Sequence, residues 1–225
     1  RGAALPAPGS PGRGGDVTGP LLSVVIPTKN RAEYAVHCVE TLRRLAARDL
    51  EIVVQDNSAT DALGRTLAAQ GADDRLRYEH VAAPLSVVEN CDRGVARARG
   101  EYVTLIGDDD GVVATLPESA RWAAAKDLDA LTPALLAWYM WPDIRSARGR
   151  SSRAGRLTVR PFGGGHVARD PREGVRRLAR HAFQDLVDSV ALPKLYYGLV
   201  RSSCLAALRA EAGTVSCISG MFKGP

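Results

Sequence analysis

Lysine is scarce in this chain. It occurs only at Lys29, Lys126, Lys194 and Lys223, so the net charge of +5 is carried almost entirely by arginine. Arginine suits bidentate contacts with phosphate and carboxylate, although a GC-rich coding bias enriches it in the same way. No basic stretch interleaved with aromatics occurs, which argues against nucleic acid as a partner. Cysteine is sparse as well: Cys38, Cys91, Cys204 and Cys217 stand far apart, with no Cys-x-x-Cys pair and no histidine at zinc spacing. Free thiols in a reducing compartment are the expectation. No apolar run reaches the roughly 18 residues that a membrane-spanning helix needs. The N-terminus lacks the apolar centre of a signal peptide. A cytoplasmic location is expected, with peripheral membrane contact left open. The first strand–helix turn, Pro27-Thr28-Lys29-Asn30, is not Gly-x-Gly-x-x-Gly, which argues against a dinucleotide-binding domain.

What is present is a chain of 225 residues, 45% hydrophobic, enough for one large α/β domain or a domain with an appendage. Residues 1–20 are rich in Gly, Pro and Ala and read as a flexible tail. Leu21–Ile26 reads as a strand ended by Pro27. Asn30 reads as the N-cap of a helix, with Glu33 completing a capping-box-like pair. Glu51–Gln55 is a second strand with Asp56-Asn57-Ser58 at its carboxyl end. A helix from Asp61 to Gln70 closes at Gly71. Arg75–Glu79 is a third, more polar strand. Pro84 and Ser86 open a helix with Val87, Val88, Cys91, Val95 and Ala98 on its inner face. Strand alternating with helix in this way predicts a mainly parallel sheet with right-handed crossovers.

The fourth strand, Tyr102–Ile106, is apolar and is stopped by Gly107; Asp108, Asp109, Asp110 and Gly111 follow. Ligands in open α/β sheets bind beyond the carboxyl ends of the strands. Three adjacent carboxylates there repel one another unless a cation or hydrogen-bond donors compensate. Hard divalent cations take oxygen ligands and share them with substrate phosphates. A metal–diphosphate site is one reading. A solvated loop is the other, since Asp110-Gly111 is also a good turn.

Beyond Gly111, Pro117–Lys126 reads as a helix. Ala130–Trp141 holds one or two strands. Trp138, Tyr139 and Trp141 read first as core and second as a platform for a sugar ring. Arg145–Gly165 is expected to be a long loop. Pro171–Phe183 is a helix whose basic face, Arg172, Arg176, Arg177 and Arg180, is read as solvated, with an acidic acceptor or lipid phosphate as the alternative. Leu192–Val200 is read as a strand and Ser202–Glu211 as a short helix. His37 is read as a packing residue and His166 as a loop residue.

Four fragments stand in order: Ser23-Val-Val-Ile-Pro-Thr-Lys-Asn-Arg31; Glu51-Ile-Val-Val-Gln-Asp-Asn-Ser58 with Asp61; Asn90, Gly94 and Ala98-Arg-Gly-Glu-Tyr-Val103; and Gly107-Asp-Asp-Asp-Gly111. Together, over roughly Leu21 to Gly111, they resemble the family-2 glycosyltransferases, inverting enzymes of the GT-A fold. The resemblance implies a mainly parallel sheet flanked by helices, with an Asp-x-Asp motif at a strand end. Residues 21–116 would form the nucleotide-sugar-binding half and residues 117–225 the acceptor-side half. It implies a nucleotide-diphosphate sugar donor, UDP- or dTDP-linked, and a Mn²⁺ or Mg²⁺ cofactor. The acceptor would be a saccharide, a lipid-linked glycan or a small natural product. Pro27, Thr28 and Arg31 would lie beside the nucleotide, Asp56 would accept a hydrogen bond from the base, and Asn90 and Arg93 would lie near base and ribose. Asp108 would hold ribose or metal, Asp110 the metal, and Asp109 could share either role.

Inverting transfer also needs a carboxylate base on the acceptor side. The candidates are Asp185 and Asp188; the alternative, favoured here, is a base beyond Pro225, with donor binding retained and transfer weak or absent. Two rival functions stay open: a nucleotide-sugar-binding module that lacks catalysis, and a nucleotidyltransferase, which would more often carry a Gly-rich loop after the first strand. Asp56-Asn57-Ser58 could also be no more than an Asx-type turn.

Overall fold

The structure, a computed structural model, describes residues 19–133, 137–142, 145–146, 149–150, 155–159, 161, 164–180 and 192–215. In chain order the first half runs β1 (Leu22–Thr28), α1 (Ala32–Arg43), β2 (Leu50–Asp56), α2 (Ala62–Ala69), β3 (Leu76–His80), α3 (Val87–Arg97) and β4 (Tyr102–Leu105). The second half runs α4 (Leu116–Ala125), β5 (Ala130–Leu131), β6 (Ala137–Met140), β7 (Arg145–Ser146), β8 (Gly149–Arg150), β9 (Arg156–Val159), α5 (Pro171–Arg180), β10 (Leu199–Arg201) and α6 (Ser202–Ala212).

Six strands form one sheet in the order β3-β2-β1-β4-β10-β5. β1 is parallel to β2 and β4, and β2 to β3, as the strand–helix alternation predicts. β10 runs antiparallel to both β4 and β5. The pleat sorts the apolar runs onto two faces. Val24, Ile26, Ile52 and Val54 pack with Ala35, Val39 and Leu42 of α1, Leu63 and Leu67 of α2, and Ala120 and Ala123 of α4. Val25, Val53, Val103 and Leu105 point the other way, onto Cys91 and Val95 of α3 and Leu205 of α6. Burial on both faces explains why these strands are continuously apolar rather than alternating. Gly94 lets α3 approach: a Cβ there would lie 2.8 Å from Val25 Cγ1 and 3.2 Å from Gln55 Cβ.

Several boundaries differ from expectation for identifiable reasons. β1 does not end before Pro27 but continues to Thr28. The C=O of Val25 accepts from Ile106 N–H at 3.0 Å, whereas that of Thr28 accepts from Asn57 N–H at 2.9 Å. Alternate residues thus face β4 and β2, and Pro27 faces β4 where that ladder has already ended, so its missing N–H costs no strand bond. α1 is capped by Arg31 without a side-chain hydrogen bond, and Asn30 is not the cap: it has φ 56°. The reciprocal box forms instead at α3, where Ser86 Oγ accepts from Glu89 N–H (3.2 Å) and Glu89 Oε2 accepts from Ser86 N–H (2.7 Å). Val87, expected inside, is exposed. The Arg- and Gly-rich stretch is not all loop, because β9 pairs antiparallel with β6 and β7 with β8. Leu192–Val200 is mostly not a strand: only its last two residues enter β10. His37 is exposed rather than packed.

Candidate active site

The carboxyl edge of the parallel strands gathers the polar residues singled out in the sequence. β1 delivers Thr28 and β4 delivers Asp108, and Thr28 Oγ1 donates to Asp108 Oδ2 at 2.6 Å. Arg31, at the start of α1, spans two carboxylates, with Nη1 3.1 Å from Asp108 Oδ1 and Nη2 2.8 Å from Asp109 Oδ2. Its guanidinium also lies 4.7 Å from the centroid of the Tyr34 ring, one helical turn on. Asp108 is buried, and burial raises its carboxyl above the usual range; the Thr28 hydroxyl and Arg31 oppose that rise without cancelling it. Arg31 is raised in turn, first by its bond to Asp109.

Asp110 is held differently. Its Oδ2 accepts from Gly107 N–H at 2.7 Å and from the Tyr196 hydroxyl at 2.8 Å, and its Oδ1 accepts from the Tyr197 hydroxyl at 2.6 Å. The two rings meet edge to face with centroids 4.3 Å apart. Burial first, then the neighbouring carboxylate, pushes Tyr197 well above its ordinary pKa and Tyr196 in the same direction, so both act as O–H donors. Gly107 is needed for this approach, since a Cβ there would lie 2.7 Å from Asp110 Oδ2. Beneath the turn, Cys38 Sγ lies 3.8 Å from the Gly107 carbonyl, and burial, reinforced by the carboxylates, lifts its thiol to about 12. The repulsion expected among three adjacent carboxylates is thus met by protein donors: one guanidinium, three hydroxyls and one backbone N–H.

The end of β2 is a hub for the surrounding turns. Asp56 is fully buried; its Oδ1 accepts from Ser58 N–H at 2.8 Å, the Asx-type turn considered above, and its Oδ2 lies 2.8 Å from the Tyr78 hydroxyl, whose single proton it shares with Asp61 Oδ1 at 2.6 Å. Asp56 therefore does not stand at the surface as a ready acceptor for a base. Asn57 ties down the 81–85 segment, donating to Val81 C=O and Ala83 C=O (2.7 Å each) and accepting from Leu85 N–H (3.1 Å). Ser58 Oγ accepts from Asn30 N–H at 2.7 Å, and Asn30 Oδ1 accepts from Ala59 N–H at 3.0 Å. Asn30 thus joins the β1–α1 turn to the β2–α2 turn, and its left-handed backbone, tolerated by Asn, makes that possible. Asn90 is buried behind Thr28, donating to Thr28 C=O at 3.1 Å, while its Oδ1 has no partner. Arg93, one turn further along α3, is half-exposed and bonds Glu79 at 2.8 Å rather than Asp108, Asp109 or Asp110.

Of the residues singled out in the sequence, the structure brings Thr28, Arg31, Asp108, Asp109 and Asp110 to one edge, with Pro27 next to Thr28. Sequence reasoning missed Tyr196 and Tyr197, whose two adjacent rings were read as part of a strand. Asp185 and Asp188 lie outside the described residues. Tyr139 and Trp141, read first as core, are exposed at 47% and 38%. Trp141 packs edge-on against both Tyr139 and Tyr34, with centroids 5.4 and 5.8 Å apart, which sets an open aromatic surface next to Arg31. His166 lies in a loop against Trp122.

Comparison with known proteins gives the family. The model of the family described as Glycosyl transferase family 2 matches residues 23–135, half of the chain, and the chain belongs to that family. Glycosyltransferase GlyG of Streptococcus pneumoniae serotype 4 is 31% identical over 113 residues, covering 49% of this chain and 38% of the relative. The GalNAc(5)-diNAcBac-PP-undecaprenol beta-1,3-glucosyltransferase of Campylobacter jejuni is 34% identical over 111 residues, covering 45% and 35%. The chain spans little more than a third of the length of these two relatives. The crystal structure of S. aureus TarS 1-349 in complex with UDP superposes at a TM-score of 0.44 with 22% identity, covering 49% of this chain and 34% of that one.

Proposed function

We propose that this chain forms the donor-binding part of an inverting glycosyltransferase, taking a UDP- or dTDP-sugar and passing the sugar to an acceptor hydroxyl. The observation that carries the reading is the Thr28–Asp108–Arg31–Asp109 contact set at the carboxyl edge of the sheet, inside the segment that defines the family. The donor set suits a hard cation. It is all carboxylate oxygen, and Asp108 and Asp110 keep acceptor positions that no donor among the described residues uses. Among the described residues no three His, Cys, Asp or Glu side chains converge as a closed metal cage. One or two carboxylates can nonetheless share a cation with substrate phosphates. Asp108 and Asp110 would hold Mn²⁺ or Mg²⁺, which supplies Lewis-acid neutralisation of the diphosphate.

The chain's own residues do the rest. Thr28 and Arg31 fix the orientation of Asp108, and Arg31 places a cation at the edge that the diphosphate approaches. Asn57 and Asn30 hold the turns that would frame the nucleotide. The open Tyr139–Trp141 surface is where an acceptor ring would stack. Within this chain Asp185 and Asp188 remain the two candidates for the base that takes the acceptor proton as the hydroxyl attacks opposite the leaving diphosphate.

Thermal melting with UDP, dTDP and GDP, each with and without Mn²⁺, tests this. Stabilisation is expected to be weak without the metal, and with it to approach about 2.7 kcal/mol at a ligand concentration roughly 100 times the dissociation constant. Equal shifts with and without Mn²⁺ would remove the metal from the site; no shift with any nucleotide would remove the donor.

A further inference from the structure

Resting on the metal-assisted reading above, we infer that Tyr196 and Tyr197 are positioning residues for Asp110, leaving one oxygen of its carboxylate, Oδ1, to face the cation. A carboxylate offers about two acceptor positions on each oxygen. On Asp110, Oδ2 uses both, for Gly107 N–H (2.7 Å) and the Tyr196 hydroxyl (2.8 Å). Oδ1 uses one, for the Tyr197 hydroxyl (2.6 Å), and among the described residues keeps the other. Asp110 is therefore built as a one-oxygen ligand.

The backbone around the two tyrosines carries the same message. Leu195 C=O accepts from Leu105 N–H at 2.9 Å, and Tyr197 N–H donates to Leu105 C=O at 3.0 Å. The tyrosine segment is thus clamped to the last residue of β4, the strand that delivers the carboxylates. Tyr197 adopts φ 61°, a left-handed conformation that is unfavourable for a bulky side chain. Such strain persists where the surroundings impose it, and it clusters at functional sites. Here it is what aims two successive rings at the same carboxylate. Partners that orient a ligating carboxylate typically change metal affinity by about 10–100-fold when removed.

The test is Mn²⁺ affinity, read from the electron paramagnetic resonance of free Mn²⁺ at fixed UDP, together with UDP affinity in the absence of metal. Tyr196→Phe and Tyr197→Phe each remove one hydroxyl and keep the ring. The expected result is Mn²⁺ binding weakened by about 10–100-fold, with the metal-free UDP affinity moving far less. Gly107→Ala, whose new Cβ would crowd Asp110 Oδ2 and the Tyr196 hydroxyl, keeps both phenol groups but shifts their seat on Asp110, and is expected to give the same selective loss. Unchanged or tighter Mn²⁺ binding in the Phe variants would overturn the inference, because the phenols would then be idle or competing with the cation. Equal weakening of both affinities would overturn it in favour of a merely structural role. Wild-type protein that binds no Mn²⁺ with UDP would overturn the metal reading itself, and that measurement needs no variant.

Discussion

The two edges of the central sheet each bury a carboxylate and treat it in opposite ways. At the amino edge, Glu51 of β2 is buried and receives four donors. Ser23 Oγ (2.5 Å) and Arg99 N–H (2.9 Å) serve one oxygen; Arg99 Nε (2.7 Å) and Arg77 Nη1 (3.3 Å) serve the other. Burial pulls its carboxyl upward, but those bonds outweigh it and hold Glu51 below the usual range. At the carboxyl edge, Asp108 has a hydroxyl and one guanidinium, and burial wins. A saturated carboxylate is a fastener. An under-served one keeps unused acceptor capacity and a charge that the fold does not fully compensate, which a ligand can use. This difference separates the proposed site from the scaffold better than burial does, since both groups are buried.

The sharpest way to break the comparison is to remove one carboxylate from each edge. Asp110→Asn should abolish the metal-dependent part of nucleotide stabilisation, about 2.7 kcal/mol at roughly 100-fold excess over the dissociation constant. It should melt close to the wild type without ligand, because an amide turned toward Tyr197 can donate to the phenol oxygen while its carbonyl serves Gly107 and Tyr196. Glu51→Ala should do the reverse. It leaves the buried Ser23 hydroxyl without its acceptor and should cost about 1–3 kcal/mol in urea unfolding, with nucleotide and Mn²⁺ affinities retained. A Glu51 variant that lost metal binding, or an Asp110 variant that failed to fold, would erase the distinction.

The same contrast has a pH signature. Because Glu51 titrates below its unfolded value of 4.5, its contribution is fully present above that pH and is lost as pH falls through the depressed folded value. The stability difference between the wild type and Glu51→Gln, measured by urea unfolding from pH 6 downward, should therefore shrink only below about pH 4.5. A difference that grew on acidification would show that Glu51 is not held ionised by its arginines.

How much of this was legible follows from the range of each interaction. The strands of the parallel core announce themselves because each is buried on both faces, and Asp108 to Asp110 because they follow a glycine-stopped apolar run. Arg31 and Thr28 were found through the ordered fragments that mark the family. Tyr196 and Tyr197 were not, because their partner is Asp110, nearly ninety residues earlier, and in a run containing Leu195, Leu199 and Val200 two tyrosines look like strand residues. The short β9 was hidden by its Arg- and Gly-rich neighbours, since pairing with β6 rather than local preference makes it a strand. Asn57 was noted only as part of a turn; its three bonds to the 81–85 segment have no local signal.

Asn30 shows a subtler limit and gives the smallest of the tests. Asn is favoured both as a helix N-cap and in the left-handed region, so one letter supports two geometries. The structure chooses the second, with φ 56° and bonds to Ser58 and Ala59. Replacement by serine separates them. Serine is about as good an N-cap as asparagine, so a capping role predicts almost no change in stability. The left-handed role predicts a loss of roughly 1–2 kcal/mol from backbone strain, together with loss of the side-chain bond to Ala59. Nucleotide affinity should fall along with stability, because that bond holds the β1–α1 turn bearing Arg31 against the turn after β2. Asn30→Gly removes the same side-chain bond but not the backbone freedom, so it should lie between serine and the wild type. A serine variant as stable as the wild type would return Asn30 to the helix cap and detach the two turns from each other.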